Sequence, residues 1–136
     1  MATILRVAPS TIRGAGLGLF ARQAIEAGEL IAQYTGERLN GEEFSHRLRT
    51  NRTSGDFALR VARGVYIDAE HTPWCLPRYI NDAVGSELSN NCRFVLDAER
   101  ESAAIHTVRS IHAGEELLVP YGEGYWLAWE LRNSVL

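Results

Sequence analysis

Apolar residues recur along this chain in short runs broken by glycine-containing turns, and not at the three-and-four spacing of long amphipathic helices. That pattern predicts strands at Ile4–Ala8, Leu17–Ala21, Leu30–Tyr34, Phe57–Val61, Val65–Asp68, Arg93–Asp97, Ala104–Arg109 and Leu117–Tyr121. Helices are expected in three places. Asn40-Gly41-Glu42-Glu43 reads as a helix start, with Asn40 as N-cap, Glu43 reaching back, and Phe44 and Leu48 sharing one face beyond it. Trp74–Ile80, in which Trp74 is expected to pack, and Tyr125–Leu131, which sets Trp126 and Trp129 three apart, are the other two. The result is a β-rich α+β chain of small sheets and short helices, with no linker or low-complexity stretch to divide residues 1–136 into more than one domain.

One pattern occurs twice. Ile25-Glu26-Ala27-Gly28-Glu29-Leu30 leads to Tyr34-Thr35-Gly36-Glu37, and Ile111-His112-Ala113-Gly114-Glu115-Glu116-Leu117 leads to Tyr121-Gly122-Glu123. Each copy reads as a turn whose glycine takes a positive φ, followed by an apolar strand that delivers a tyrosine. Two copies make no solenoid, but they can bring two tyrosines toward a common centre; taken singly, either tyrosine is equally an ordinary amphipathic strand end.

Composition narrows the function classes. The chain has 136 residues, 46% hydrophobic and 23% charged, which suits one globular domain. Its formal net charge of -3 argues against a phosphate-binding surface and for a basic peptide as the better electrostatic match. No apolar run reaches a membrane-span length, and Arg6 interrupts the early apolar stretch, so the expectation is a soluble, unexported, intracellular protein. Cys75 and Cys92 stand apart with no zinc-ligand spacing near either; no metal site is expected, and two buried thiols are preferred to a disulfide. His46, His71, His106 and His112 are dispersed, and the arginines between Arg47 and Arg63 read as a solvated face.

Arg13-Gly14-Ala15-Gly16-Leu17-Gly18-Leu19-Phe20-Ala21 has alternating glycines that allow close backbone approach to a ligand, yet it lacks the βαβ setting of a dinucleotide site and the Gly-Lys-Ser/Thr of a Walker loop. Taken in order with Tyr34-Thr35-Gly36-Glu37, Arg78-Tyr79-Ile80-Asn81, Asn90-Asn91-Cys92 and Gly114-Glu115-Glu116-Leu117 leading to Tyr121-Gly122, this run resembles the SET domain family of protein lysine methyltransferases. The resemblance covers about residues 4–126. The ending Tyr121-Gly122-Glu123-Gly124-Tyr125-Trp126 is similar to compact stand-alone SET proteins of the algal-virus type, which have no zinc-bound tail.

The resemblance implies a β-clip fold in which the carboxy-terminal segment threads beneath the Asn81–Asn91 loop as a pseudoknot. It implies S-adenosylmethionine as cofactor, S-adenosylhomocysteine as product, and a lysine-containing protein or peptide, such as a histone tail, as substrate. Residue by residue, Ala15, Gly16 and Leu17 match the cofactor-binding turn, Asn81 the asparagine that fixes the methionine moiety, and Asp82 the position whose backbone holds the adenine. Tyr121 matches the catalytic tyrosine and Tyr34 the tyrosine of the lysine channel. Trp126 or Tyr125 closes the site, Val119 stands at a further channel position, and Phe94 is either another channel wall or an ordinary core residue. A histone substrate implies the nucleus, and a homodimer is a further expectation.

Three departures bear on activity. Asn81-Asp82-Ala83 stands where the family has Asn-His-Ser, extra residues within Ala83–Ser89 separate Asn81 from Asn90, and Pro120 replaces an Asp before the tyrosine, removing an N–H donor. The Asp82 carboxylate then either points at the cofactor or faces solvent. These departures support an alternative, a SET-like or other β-clip binding module without turnover. All 14 basic residues are Arg. Codon bias is one reading of this; the other is that an enzyme accepting lysine then offers no target on itself.

Overall fold

The computed structural model describes residues 4–135; in the carboxy-terminal helix it describes the side chains of Tyr125, Ala128, Glu130, Leu131, Asn133 and Ser134. In chain order the elements are β1 (Leu5–Pro9), β2 (Leu17–Ala21), β3 (Leu30–Gln33), β4 (Glu37–Leu39), α1 (Gly41–Arg49), β5 (Ala58–Ala62), β6 (Val65–Asp68), a 3-10 turn (Leu76–Tyr79), β7 (Cys92–Asp97), β8 (Ser102–Thr107), β9 (Glu116–Leu117) and α2 (Gly122–Val135). They form three three-stranded sheets, ordered β1-β2-β9, β3-β8-β7 and β4-β6-β5. The chain divides into two compact units. One comprises Met1–Ala32, Tyr79–Val95 and Ala104–Tyr121; the other comprises Gln33–Arg78, Leu96–Ala103 and Gly122–Leu136.

In the first unit, β2 is antiparallel to both neighbours, running Leu5↔Ala21 to Pro9↔Leu17 on one side and Leu19↔Leu117 and Phe20↔Glu116 on the other. A central strand is covered on both faces, and Leu19, Phe20 and Ala21 are all buried. The two sequence echoes meet here. Ile25 and Ile111 exchange both main-chain hydrogen bonds, at 2.9 and 2.8 Å, and both isoleucines are buried. Gly28 and Gly114 take φ of +80° and +86°, as the turn pattern predicts.

The second unit is built on β4-β6-β5 with both helices. Asn40 caps α1 through a complete capping box: the Glu43 N–H donates to Oδ1 of Asn40 at 2.8 Å, and the Asn40 N–H donates to Oε1 of Glu43 at 2.9 Å. Phe44 and Leu48 then face inward with Leu39, Ala58, Tyr66 and Ala128, and Leu131 of α2 borders the cluster. Burying Phe44 contributes about 2–3 kcal/mol of transfer free energy. Its ring lies 5.1 Å from that of Tyr66 in a tilted arrangement.

The fold departs from sequence expectation at identifiable places. Residues 117–121 were expected to form a full strand, but β9 ends at Leu117. Pro120 has no N–H for a ladder, and the Leu118 and Val119 main chains bond to Asn91 and Asn81 as isolated contacts. Trp74–Ile80 yields only the 3-10 turn, and Trp74 is 74% exposed instead of packing. Strand β4 is unanticipated; its charged Glu37 and Arg38 hide a pairing with β6 that runs from Glu37↔Asp68 to Leu39↔Tyr66. The last helix extends beyond Tyr125–Leu131 at both ends. Cys75 and Cys92 are both buried and free. Among the described residues no helix is long and apolar enough to cross a membrane.

Candidate active site

In the first unit, the loop between β1 and β2 folds back on itself: the Ser10 N–H donates to the Gly16 carbonyl at 2.8 Å and the Ala15 N–H to the Ile12 carbonyl at 3.1 Å. Gly14 and Gly16 occupy left-handed backbone conformations, with open space where a Cβ would stand. The turn is tied to β9 by Glu116, which is buried. Its carboxylate accepts from Ser10 Oγ at 2.7 Å, from the Thr11 N–H at 2.9 Å and from Thr11 Oγ1. A Cβ on Gly18 would overlap this carboxylate, so any larger residue there would displace Glu116 from its present partners.

The segment after β9 runs between the two ends of the 81–91 loop. On one side the Val119 N–H donates to the Asn81 carbonyl at 2.9 Å, with Asn81 and Leu118 in a parallel bridge. On the other, the Asn91 and Cys92 N–H groups both donate to the Leu118 carbonyl at 2.9 Å. The buried Asn91 side chain completes the join: Oδ1 accepts from the Leu118 N–H at 2.8 Å, and Nδ2 donates to the Glu116 carbonyl at 2.9 Å and to Glu115 at 3.2 Å. This is the threaded arrangement expected of a pseudoknot, and it brings residues 17, 81, 82 and 121 onto neighbouring backbone.

Asn81 donates its amide to the Leu17 carbonyl at 2.9 Å, linking the loop end to the glycine turn. Asp82 follows neither of the two courses expected of it, since both carboxylate oxygens are engaged within the protein. Oδ2 accepts the Tyr121 N–H at 3.0 Å, while Oδ1 accepts the Val84 N–H at 2.9 Å and Nδ2 of Asn90 at 3.4 Å. The half-buried Tyr121 directs its hydroxyl to the Ile80 carbonyl at 3.3 Å. Val119 is fully buried, and Phe94 on β7 is half-buried.

Charges nearby are held by their partners. Burial acts to raise the Glu115 carboxyl, but hydrogen bonds from Arg109, the His112 N–H and Asn91 outweigh it and hold the group below its ordinary value. Burial pushes the Cys92 thiol up to about 12, which makes it an inert core group at neutral pH.

In the second unit, Tyr34 is buried and its hydroxyl donates to the Phe57 carbonyl at 2.7 Å. Around it, the Thr35 N–H donates to Sγ of Cys75 at 3.3 Å, and the Arg78 guanidinium lies 4.3 Å from the centre of the Phe57 ring while donating to the Ala69 and Glu70 carbonyls at 2.9 Å. Asp68, fully buried at the end of β6, is pushed above the usual carboxylate range by that burial. Tyr125 is half-buried on α2. The Trp126 side chain, expected at the cofactor, lies outside the described residues.

The structure therefore joins Leu17, Asn81, Asp82 and Tyr121 in one unit and sets Tyr34 in the other. Sequence reasoning passed over the Glu116 side chain, although a signal existed: Glu116 is the one residue by which the second echo is longer than the first.

The SET domain family matches residues 16–122, most of the chain. The chain belongs to that family. It is 32% identical over 124 residues to the histone-lysine N-methyltransferase EZH2 of Chaetomium thermophilum, covering 85% of this chain and 8% of that protein. To the histone-lysine N-methyltransferase ASHH3 of Arabidopsis thaliana it is 30% identical over 109 residues, covering 78% of this chain and 29% of the relative. Among solved structures, Chaetomium thermophilum Polycomb Repressive Complex 2 bound to GSK126 superposes with a TM-score of 0.76 at 26% identity, over 96% of this chain and 17% of that one. The chain spans less than a third of the length of these relatives. The β-rich SET fold inferred from the ordered motifs is thus the fold observed.

Proposed function

We propose that this protein is a lysine N-methyltransferase that uses S-adenosylmethionine and acts on a basic protein such as a histone. The observation that carries the reading is the convergence of Leu17, Asn81, Asp82 and Tyr121, four positions matched to family roles, at the threaded segment of one unit. The cofactor fits the glycine turn in one testable respect: Gly14 and Gly16 leave main-chain atoms uncovered where any other residue would place a side chain.

S-adenosylmethionine supplies a methyl group on a positive sulfonium, which the lysine amine takes as a C–N bond forms, the S–CH3 bond breaks and a proton leaves the nitrogen. The protein must favour the neutral amine, which costs about 4–5 kcal/mol near pH 7 for a group of pKa near 10.4. Tyr121 and Tyr34 suit this task because a phenol both donates and accepts, and its rigid body displaces water. Asn81 and the backbone of residues 15–17 and 82 hold the cofactor. By the family roles they match, Val119 and Phe94 would line the lysine channel. A formal net charge of -3 suits a basic peptide, and a histone substrate places the protein in the nucleus.

Calorimetric titration with S-adenosylmethionine, followed in the same preparation by transfer of labelled methyl to mixed histones, tests the proposal. Binding with transfer supports it. Binding without transfer to histones or to the protein complement of a lysate would favour a SET-like binding module, and absence of binding would overturn the cofactor assignment.

A further inference from the structure

We propose that Asp82 is the positioning residue of Tyr121, its carboxylate fixing the tyrosine backbone so that the hydroxyl is presented to the incoming lysine amine. The inference rests on the methyltransferase reading above. Tyr121 lies in irregular backbone: β9 has ended at Leu117, α2 begins at Gly122, and Pro120 before it has no N–H. The Tyr121 N–H is therefore the first main-chain donor after that of Val119, and neither a ladder nor a helix uses it. It donates to Oδ2 of Asp82 at 3.0 Å, across 39 residues of sequence.

The carboxylate is itself held. Oδ1 accepts from the Val84 N–H and from Nδ2 of Asn90, at the two ends of the 83–89 turn. That turn is closed internally by the Ser86 N–H and hydroxyl, both donating to the Ala83 carbonyl at 2.9 and 2.6 Å, and by the Ala83 N–H donating to Oδ1 of Asn90 at 2.9 Å. The inserted residues thus aim Asp82. A charged acceptor in a fixed direction is a stronger tie on Tyr121 than the bond from its hydroxyl to the Ile80 carbonyl, which is long at 3.3 Å. The hydroxyl can exchange this weak partner for an amine while the backbone stays in place. Placement matters at this scale, since a shift of about 1 Å at a reacting group costs on the order of a hundredfold in rate.

The test compares wild type with Asp82→Ala and Asp82→Asn. Three quantities are measured: hydrogen exchange at the Tyr121 amide of 15N-labelled protein, calorimetric affinity for S-adenosylmethionine, and the initial rate of labelled methyl transfer to mixed histones at saturating cofactor. For Asp82→Ala we expect Tyr121 exchange to rise by about tenfold or more and transfer at saturating cofactor to fall by about tenfold or more, the titration separating any change in cofactor affinity from the change in rate. Asp82→Asn, whose amide oxygen still accepts, should recover part of both losses. It also carries the test alone if the alanine variant fails to fold, by exchanging faster and transferring more slowly than wild type. Unchanged exchange in the variants overturns the proposal, as does faster exchange with an unchanged rate. A wild-type protein that transfers no methyl overturns the enzymatic reading instead, and this outcome appears in a different measurement from the amide.

Discussion

The two Ala-Gly-Glu turns start alike and end differently. Both put their glycine at a positive φ near 80°, and their isoleucines pair with each other. After the first turn the chain runs as the four-residue strand β3 and delivers a buried Tyr34, whose hydroxyl is spent on the Phe57 carbonyl. After the second, one additional glutamate intervenes, the strand stops after two residues, and the half-buried Tyr121 gives its N–H to the Asp82 side chain of the 81–91 loop. Local sequence decides the turn, whereas the fate of the tyrosine is decided by which distant groups take its backbone.

The sharpest break of this comparison is the loss of each hydroxyl. Tyr121→Phe should keep S-adenosylmethionine affinity within about twofold and lower methyl transfer by about a hundredfold, a typical cost of losing an orienting or proton-handling group. Tyr34→Phe should lower stability by about 1 kcal/mol, the worth of one internal hydrogen bond, with a smaller loss of transfer. Equal loss of transfer in the two variants, read from initial rates, would show that both tyrosines serve the amine alike.

A second expectation concerns what holds the later copy in place. Asn91→Ala strips the partners from the buried Leu118 N–H and Glu116 carbonyl, and it should cost about 2–4 kcal/mol in urea unfolding because neither group reaches water. A cost below about 1 kcal/mol would mean that the main-chain bonds to Leu118 suffice to retain the threaded segment. A third expectation concerns what the copies share. Gly28→Ala and Gly114→Ala meet no atom within 4 Å, so each should cost only the backbone penalty of about 1–2 kcal/mol, nearly the same at both sites. Unequal midpoints would show that the likeness of the turns ends at their dihedral angles.

Legibility followed the range of the interactions. Strands β2 and β6 and the Asn40 cap were readable because their determinants are neighbours in sequence: alternating or continuous apolar residues, and an N-cap three residues before its glutamate. The order of motifs, with their glycines and asparagines, made the fold and the candidate residues Asn81 and Tyr121 readable through family resemblance. The Glu116 carboxylate was not, because its partners Ser10 and Thr11 lie 106 and 105 residues away and no local spacing encodes that meeting. Asp82 stands out in the sequence as a departure, but its carboxylate is directed by Val84 and Asn90 and by the Tyr121 N–H 39 residues away. Trp74, expected on a packed helix, is instead exposed two residues before the 3-10 turn.

The placement of β9 beside β2 also sets a timetable for synthesis. Strand β2 receives one partner from residues a dozen positions earlier, but its second comes only with Glu116 and Leu117, and Asn81, 64 positions after Leu17, can grip it only once that length of chain exists. Such distant pairings must close large loops before they return any free energy, which slows folding. A nascent chain stalled before residue 117 therefore carries an exposed β2 edge with no lock. Until Glu116 and Leu117 cover it, that edge is open to wrong pairing.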